Sequence, residues 1–246
     1  MSLTLTFLGS GDAFGSDGRF QTCLALRGGP ATVLLDCGAS SLIAMKRFGM
    51  APNDVAAVVL SHLHGDHFGG VPFLVLDGQF TRRTSPLVVA GPPGLRERIE
   101  RAMEVLFPGS SRVERRFAVD YVELAERVPA TVAGVRVTAF AVEHASGAPA
   151  YALRAEYGGR TVTYSGDTEW TESLVDAARG ADCFVCEAYT FDRKLRFHLD
   201  YATVRTHAAR LGARRLVLTH MGSSMLERRG EADFECASDG LVLALD

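Results

Sequence analysis

Ser61-His-Leu-His-Gly-Asp-His67 sets four ligand-capable side chains within six positions, directly after the apolar run Val55–Leu60 and just before Gly69-Gly70. The run reads as a strand and the glycine pair as the start of a helix. Side chains two apart on an extended chain share a face, so His62 and His64 project the same way. Asp66 and His67 fall at the turn into the helix, where adjacent side chains are expected to diverge. That geometry offers two imidazoles to one metal ion and a carboxylate plus an imidazole to a second one nearby. Carboxylate oxygen beside imidazole nitrogen suits Zn²⁺, with Mn²⁺ or Fe²⁺ as alternatives. His, Asp and Gly also occur in plain turns, but four ligand types crowded at a strand end are poorly explained by turn chemistry alone.

Outward from this motif, short β-branched runs dominate the first third of the chain: Leu3–Leu8, Thr22–Leu26 and Thr32–Asp36 read as strands between glycine-rich turns. Apolar spacing predicts helices over Ala39–Phe48, Phe68–Leu76 and Leu95–Leu106, with Pro86–Ala90 a strand. In the second half, Val135–Val142 is a strand and Tyr151–Tyr157 with Thr161–Ser165 a hairpin around Gly158-Gly159. Helices Trp170–Arg179 and Tyr201–Leu211 alternate there with strands around Cys183, at Arg215–Leu218 and at Leu241–Leu245. Strands this apolar need cover on both faces, so two sheet-plus-helix halves predict a four-layer αββα sandwich of the α/β class (α+β in some schemes). The chain reads as one domain, 1–246, with its halves meeting near Val128–Gly134 (about 1–127 and 128–246).

Composition narrows the function classes. The chain has 246 residues, 47% hydrophobic and 22% charged, which excludes disordered and fibrous proteins. A net charge of −3 argues against coating nucleic acid through bulk charge. Met1–Thr6 carries no basic segment leading into an apolar run, and stretches such as Phe68–Leu76 fall short of the roughly 20 residues of a membrane helix, so a soluble cytoplasmic protein is expected. Five cysteines at irregular spacing make no disulfide framework. Cys183 and Cys186, three apart on a strand, should point to opposite faces and be buried rather than bind zinc.

The motif Ser61–His67 resembles the H-x-H-x-D-H signature of the metallo-β-lactamase fold, in its ribonuclease Z-like branch, and the resemblance extends over nearly the whole chain. Leu5-Thr-Phe-Leu-Gly-Ser-Gly11, Leu34-Leu-Asp-Cys-Gly38, Pro86-Leu-Val-Val-Ala-Gly-Pro-Pro-Gly94, Tyr164-Ser-Gly-Asp-Thr168 and Leu216-Val-Leu-Thr-His220 are similar to that branch's other segments. The resemblance implies His62, His64, His144 and Asp167 as ligands of one metal, and Asp66, His67, Asp167 and His220 as ligands of the other. It also implies that Asp36 orients a ligand histidine or the motif loop, and that Glu187 is a carboxylate near the centre. For both, a helix cap or a structural hydrogen bond is the alternative. His198 falls where ribonuclease Z-like enzymes carry a Gly-His-Ser/Thr element, with Phe197 and Leu199 replacing its neighbours. His207 is assigned to structure.

Two divalent ions roughly 3.5–4 Å apart lower the pKa of a shared water and clamp attacking and leaving oxygens, so a hydroxide bridging the pair could attack a phosphodiester in line. His198 and Asp66 are the candidate catalytic residues, His198 as proton donor to the leaving alkoxide. Arg193, Lys194 and Arg196 are candidates for holding an anionic substrate, against the alternative of a solvated charge run. Arg82-Arg83 and Arg112, Arg115 and Arg116 add further positive surface. The expected function is a dinuclear, zinc-dependent phosphodiesterase. Ribonuclease Z-like enzymes insert a long arm after the third histidine to grip tRNA. Here His144 leads within a few residues to Tyr151–Tyr157, which favours a small anionic phosphodiester over precursor tRNA. A dimer could restore nucleic-acid contacts through a partner's arginines. Three alternatives remain: hydrolysis of a lactone, thioester or other carbon ester, tRNA 3′ endonuclease activity, or a non-catalytic metal-binding module.

Overall fold

The computed structural model describes residues 2–246. Its central strands send alternate side chains into different layers: Leu24 and Leu26 enter one apolar cluster, whereas Cys23 and Ala25 enter another. Cys183 and Val185 likewise face the first cluster while Phe184 and Cys186 face a third. A strand covered on both faces must be apolar at every position, which explains the unbroken Val/Leu/Ala runs.

The first sheet contains β1 (Leu3–Gly9), β2 (Cys23–Arg27), β3 (Thr32–Leu35), β4 (Val55–Val59), β5 (Leu87–Gly91) and β6 (Val119–Glu123), in that spatial order. The second contains β7 (Ala130–Val132), β8 (Val135–Val142), β9 (Ala150–Tyr157), β10 (Arg160–Tyr164), β11 (Cys183–Glu187), β12 (Leu216–Thr219) and β13 (Glu235–Cys236). Then β14 (Val242–Leu245) crosses back to pair antiparallel with β1. Each sheet starts with antiparallel pairs and continues in parallel ones, with the change at β3 in the first and at β10 in the second.

Leu5, Phe7, Leu35, Val137, Leu153 and Val185 form part of the layer between the sheets. The outer face of the first sheet is covered by α1 (Ser41–Arg47), α2 (Gly65–Phe68), α3 (Val71–Phe80) and α4 (Leu95–Leu106). That of the second is covered by α5 (Ser173–Ala178), α6 (Tyr201–Leu211) and α7 (Ser223–Glu227). The result is the four-layer αββα sandwich. In α4, Leu95, Ile99 and Met103 repeat every four residues and are the buried positions, while its charges face out. In α6, Asp200 caps the start by accepting from the Thr203 amide at 2.8 Å, and Gly212 ends it in the left-handed conformation.

Three features differ from the sequence reading. The helix expected over Phe68–Leu76 is two helices, α2 and α3, separated at Gly69-Gly70, and Pro72 stands in the first turn of α3, where its missing N–H costs nothing. Strands β6, β7 and β13 and helix α7 were not anticipated; β6 carries its Asp and Glu among half-buried residues, and β13 has only two residues. The break expected near Val128–Gly134 overlaps β7 of the second sheet, the chain crossing between sheets over residues 124–129, and β14 belongs to the first, so the chain's two ends share one sheet.

The glycines at the α2–α3 junction have a steric reason. The Cys37 amide donates to the His67 carbonyl at 2.6 Å and the Gly70 amide to the Cys37 carbonyl at 2.8 Å, so loop 36–38 is stitched onto α2. A Cβ on Gly70 would lie 2.2 Å from the Gly38 carbonyl oxygen, and one on Gly38 would lie 2.3 Å from the Asp66 carbonyl oxygen. Gly70→Ala should therefore cost at least about 2 kcal/mol in urea denaturation, because both partners are backbone and the shift must move α2 itself. A cost indistinguishable from that of Gly→Ala at the unobstructed Gly65 would refute this account of the junction.

Candidate metal centre

The ends of β3, β4, β8, β10, β11 and β12 meet along one edge of the sandwich, and each strand delivers a functional group there: Asp36, the 61–67 loop, His144, Asp167, Glu187 and His220. Parallel strands end on the same side of a sheet, which is why residues from distant segments converge. His62, His64 and His144 form one cluster, and Asp66, His67, Asp167 and His220 a second. All seven residues singled out as ligands from the sequence are therefore brought together.

Asp167 lies between the clusters. Its Oδ2 is 3.3 Å from His67 Nε2 and 3.5 Å from His220 Nε2 on one side. On the other it is 3.9 Å from His62 Nε2 and 4.0 Å from His144 Nε2. Asp66 Oδ2 completes the second cluster, 3.1 Å from His67 Nε2 and 3.3 Å from His220 Nε2. The adjacent side chains of Asp66 and His67 were expected to diverge. They converge instead, because both stand in the single turn of α2 at the rim of the centre.

Hydrogen bonds behind the imidazoles settle which nitrogen of each faces the centre. Asp36 Oδ2 accepts from His67 Nδ1 and from Ser61 Oγ, each at 2.7 Å, and Ser61 Oγ in turn accepts from His62 Nδ1 at 3.0 Å. The Phe197 carbonyl accepts from His144 Nδ1 at 2.8 Å. Protons held at these Nδ1 atoms turn Nε2 of His62, His67 and His144 toward the centre, the usual orientation of metal-bound histidine. His62 Nε2, His67 Nε2 and Asp167 Oδ1 are buried with no hydrogen-bond partner among the described residues. Buried polar atoms left without a partner are costly unless something binds them, so the donor set fits a pair of divalent cations. Asp36, for which a structural role was equally expected, thus orients two of the imidazoles, and it holds a left-handed backbone conformation (φ 58°) to do so.

Imidazoles of the two clusters are shifted in opposite directions. Burial pushes the His62 and His144 imidazoles below the ordinary histidine pKa, with neighbouring imidazoles adding to the effect and Asp167 opposing it. Burial alone would also lower His67 and His220, but the Asp167 and Asp66 carboxylates outweigh it, so His67 is raised and His220 is raised to about 9.

Beside the second cluster, His198 Nδ1 lies 3.0 Å from Glu187 Oε2 and 3.9 Å from Asp167 Oδ2. Glu187 is fully buried and its other oxygen accepts from the Thr168 amide. Burial and the nearby Asp167 charge raise its pKa. For His198, burial lowers the pKa, but the Glu187 bond and charge, with Asp167, raise it overall. Phe197, standing where the related element has glycine, adopts a left-handed φ of 70°, held by the Glu169 carboxylate on its amide at 2.9 Å and by His144 on its carbonyl. Tyr189, not singled out from the sequence, packs its ring 4.9 Å from that of His198. A tyrosine in an unremarkable loop gives no sequence signal of this.

Other candidates stand outside the two clusters. Arg193, Lys194 and Arg196 are exposed on the segment before His198. Arg83, expected to add positive surface, is buried instead, donating to the carbonyls of Ser85, Val55 and Pro86 at 2.6–2.7 Å, so it serves the fold. His207 stacks on Trp170 with ring centroids 3.9 Å apart, away from the centre. Among the described residues no helix is long and apolar enough to cross a membrane.

A family model described as the beta-lactamase superfamily domain matches residues 31–221. Ribonuclease Z of Geobacillus kaustophilus is 28% identical, over 96% of this chain and 93% of its own. Ribonuclease Z of Agathobacter rectalis is 26% identical, over 91% of this chain and 89% of its own. These alignments run over 297 and 276 positions, more than the 246 residues present, so both relatives carry segments that this chain lacks. Among solved structures, the short form of human tRNase Z superposes with a TM-score of 0.79 at 26% identity, covering 99% of each chain.

Metal binding should be coupled to protons unequally. Groups with a raised pKa keep their protons at pH 7, so a cation entering the second cluster must displace those on His67 and His220. Affinity there should rise with pH up to about 9, whereas His62 and His144 of the first cluster, with lowered pKa values, should release few protons above pH 7. Calorimetric titration in buffers of different ionisation enthalpy should count two cations per chain, with proton release for one and little for the other. Asp167→Ala should impair both sites and His144→Ala mainly the first. Proton-neutral binding at both sites, or a single cation, would refute this division.

Proposed function

The chain belongs to the β-lactamase superfamily, and we propose that within it this protein is a dinuclear metal-dependent hydrolase of small phosphodiesters. The observation that carries this reading is Asp167, one buried carboxylate within reach of imidazoles from both clusters, the arrangement a bridging ligand needs. His62, His64, His144 and Asp167 would hold one cation, and Asp66, His67, Asp167 and His220 the other. Zn²⁺ suits this nitrogen-rich set best, with Mn²⁺ and Fe²⁺ acceptable. When bound, such a pair supplies Lewis acidity toward phosphoryl oxygens and a water of lowered pKa.

The chain's own groups supply the rest. Hydrolysis breaks a phosphorus–oxygen bond, and the departing alkoxide needs a proton. Glu187 fixes the His198 ring through Nδ1 and favours its protonated form, which leaves Nε2 to donate that proton. Tyr189 packs on the ring's face and limits its rotation. Asp66 belongs to the second cluster and also lines the adjoining groove, so it stands where a substrate would touch it, in keeping with a catalytic role.

Named relatives that process RNA support phosphodiester chemistry, while two features support a small substrate over precursor tRNA. The connection from β8 to β9 is residues 143–149, too short for an arm, and the ribonuclease Z alignments exceed the length of this chain. Bis-p-nitrophenyl phosphate and cyclic phosphodiesters should be turned over with a higher kcat/KM than precursor tRNA, and with little dependence on salt. Efficient, strongly salt-sensitive 3′ cleavage of precursor tRNA would overturn the small-substrate reading, and chelator-sensitive turnover of a lactone but of no diester would overturn the chemistry.

His198→Ala should lower kcat about 10²–10⁴-fold on diesters with poor leaving groups and much less on nitrophenyl esters, with metal content unchanged. Equal losses on both classes would remove the proton-donor role.

A further inference from the structure

A groove of about 920 Å³ opens beside the candidate metal centre, between α2–α3 and α4. Its walls are mainly apolar, from Phe68, Phe73, Ala102, Val105 and Leu106, and Val105 is 81% exposed. A concave, mainly apolar wall beside a cluster of polar groups is the usual form of a small-molecule site. Two observations identify the occupant. Asp66, a member of the second cluster, forms part of the groove wall, so the groove is continuous with the centre. The other charged residues of the lining are Arg98 and Arg101, giving an apolar trough with cationic edges.

Arg98 stands at the inner end. Its Nη1 donates to the carbonyl of Leu63, between His62 and His64, at a long 3.3 Å. Its Nη2 lies 3.3 Å from where a Cβ on Gly147 would be, on the short loop after His144. One weak bond leaves most of the guanidinium fork free for an anion, and its position borders both the groove and the centre. Arg101 is further out and pairs only loosely with Glu97, at 3.8 Å.

We propose that this groove is the subsite for an apolar, ring-bearing ester group of the substrate, with Arg98 holding the anionic phosphoryl end of the same molecule. The inference rests on the phosphodiester reading and narrows its substrate class to diesters with at least one bulky apolar ester group. The group slides over Phe68 and Phe73 while the charged end stays at Arg98, so apolar burial supplies the affinity and the arginine supplies the orientation.

Binding of two phosphinates to the metal-loaded protein tests this without turnover, since carbon replaces both ester oxygens in these anions. Calorimetry should show (2-naphthylmethyl)(methyl)phosphinate binding at least about tenfold more tightly than dimethylphosphinate. Ala102→Phe, which fills the groove, should erase that difference and leave dimethylphosphinate unchanged. The double variant of exposed positions, Val105→Ser with Leu106→Ser, should reduce it in the same sense and serves if Ala102→Phe does not fold. Arg98→Gln should weaken both ligands by a similar factor, about fivefold, at unchanged metal content. Equal affinity for the two phosphinates, or a groove variant that weakens both alike, overturns the subsite. Unaltered binding by Arg98→Gln overturns the role of Arg98. Failure of the unmodified protein to bind either anion overturns the diester reading and the subsite together, an outcome distinct from equal binding.

Discussion

One carboxylate oxygen, Asp167 Oδ2, lies within 4.0 Å of nitrogens on five histidines, His62, His67, His144, His198 and His220. Asp167, His62, His67 and His220 are nearly or wholly buried. Collecting charge out of water costs several kcal/mol per ion after relaxation, and only good pairing offsets it. The surrounding architecture answers that cost. Two seven-stranded sheets pack face to face, so strand ends can hold side chains firmly from both sides, and the Asp36–Ser61–His62 and Asp36–His67 bonds fix ring orientations before any cation arrives. The apolar layers supply the stability that lets such a polar edge exist.

The metal motif was legible because it is local. Four of the seven candidate ligands lie within six residues of one another, and strand periodicity alone aligns His62 with His64. Glu187 and Asp36 were harder, since a buried carboxylate at a strand end looks the same in sequence whether it caps a helix or orients an imidazole. Only the fold brings Glu187 Oε2 to 3.0 Å from His198 Nδ1. Arg83 shows the converse: its charge suggested surface, whereas the carbonyls of Ser85 and Pro86 before β5 and of Val55 at the start of β4 needed a donor, and the guanidinium fork satisfies all three. Edge strands β6, β7 and β13 escaped notice because an edge needs apolar cover on fewer sides and so lacks the continuous pattern. The matching order of antiparallel and parallel pairs in the two sheets was equally hidden, because it is a relation between backbones that different side chains satisfy.

Phe197 illustrates how function can override local preference. A left-handed φ costs an L-residue roughly 1–2 kcal/mol, and glycine would remove that cost. The conformation persists because both of its peptide groups are used: the amide binds Glu169, and the carbonyl holds His144 Nδ1. Strain at this position is therefore tied to the orientation of a candidate ligand on one side and to the approach of His198 on the other. The side chain is engaged as well, with the Arg196 guanidinium 4.5 Å above its ring.

The seven-residue connection after β8 links these local facts to substrate choice. Ser146 is buried and its hydroxyl donates to the Ala148 carbonyl at 3.0 Å, so the loop is braced on itself as a compact turn. A compact turn provides no extended basic surface for a long polyanion. What the turn does provide is proximity: it lies against Arg98 and leaves the trough along α4 open to the centre. In the proposed subsite, recognition would fall to a few short-range contacts, an arginine for charge and apolar walls for shape. On the proposed reading those contacts would favour small, partly apolar anions, because a longer polymer gains nothing from phosphates that meet no partner.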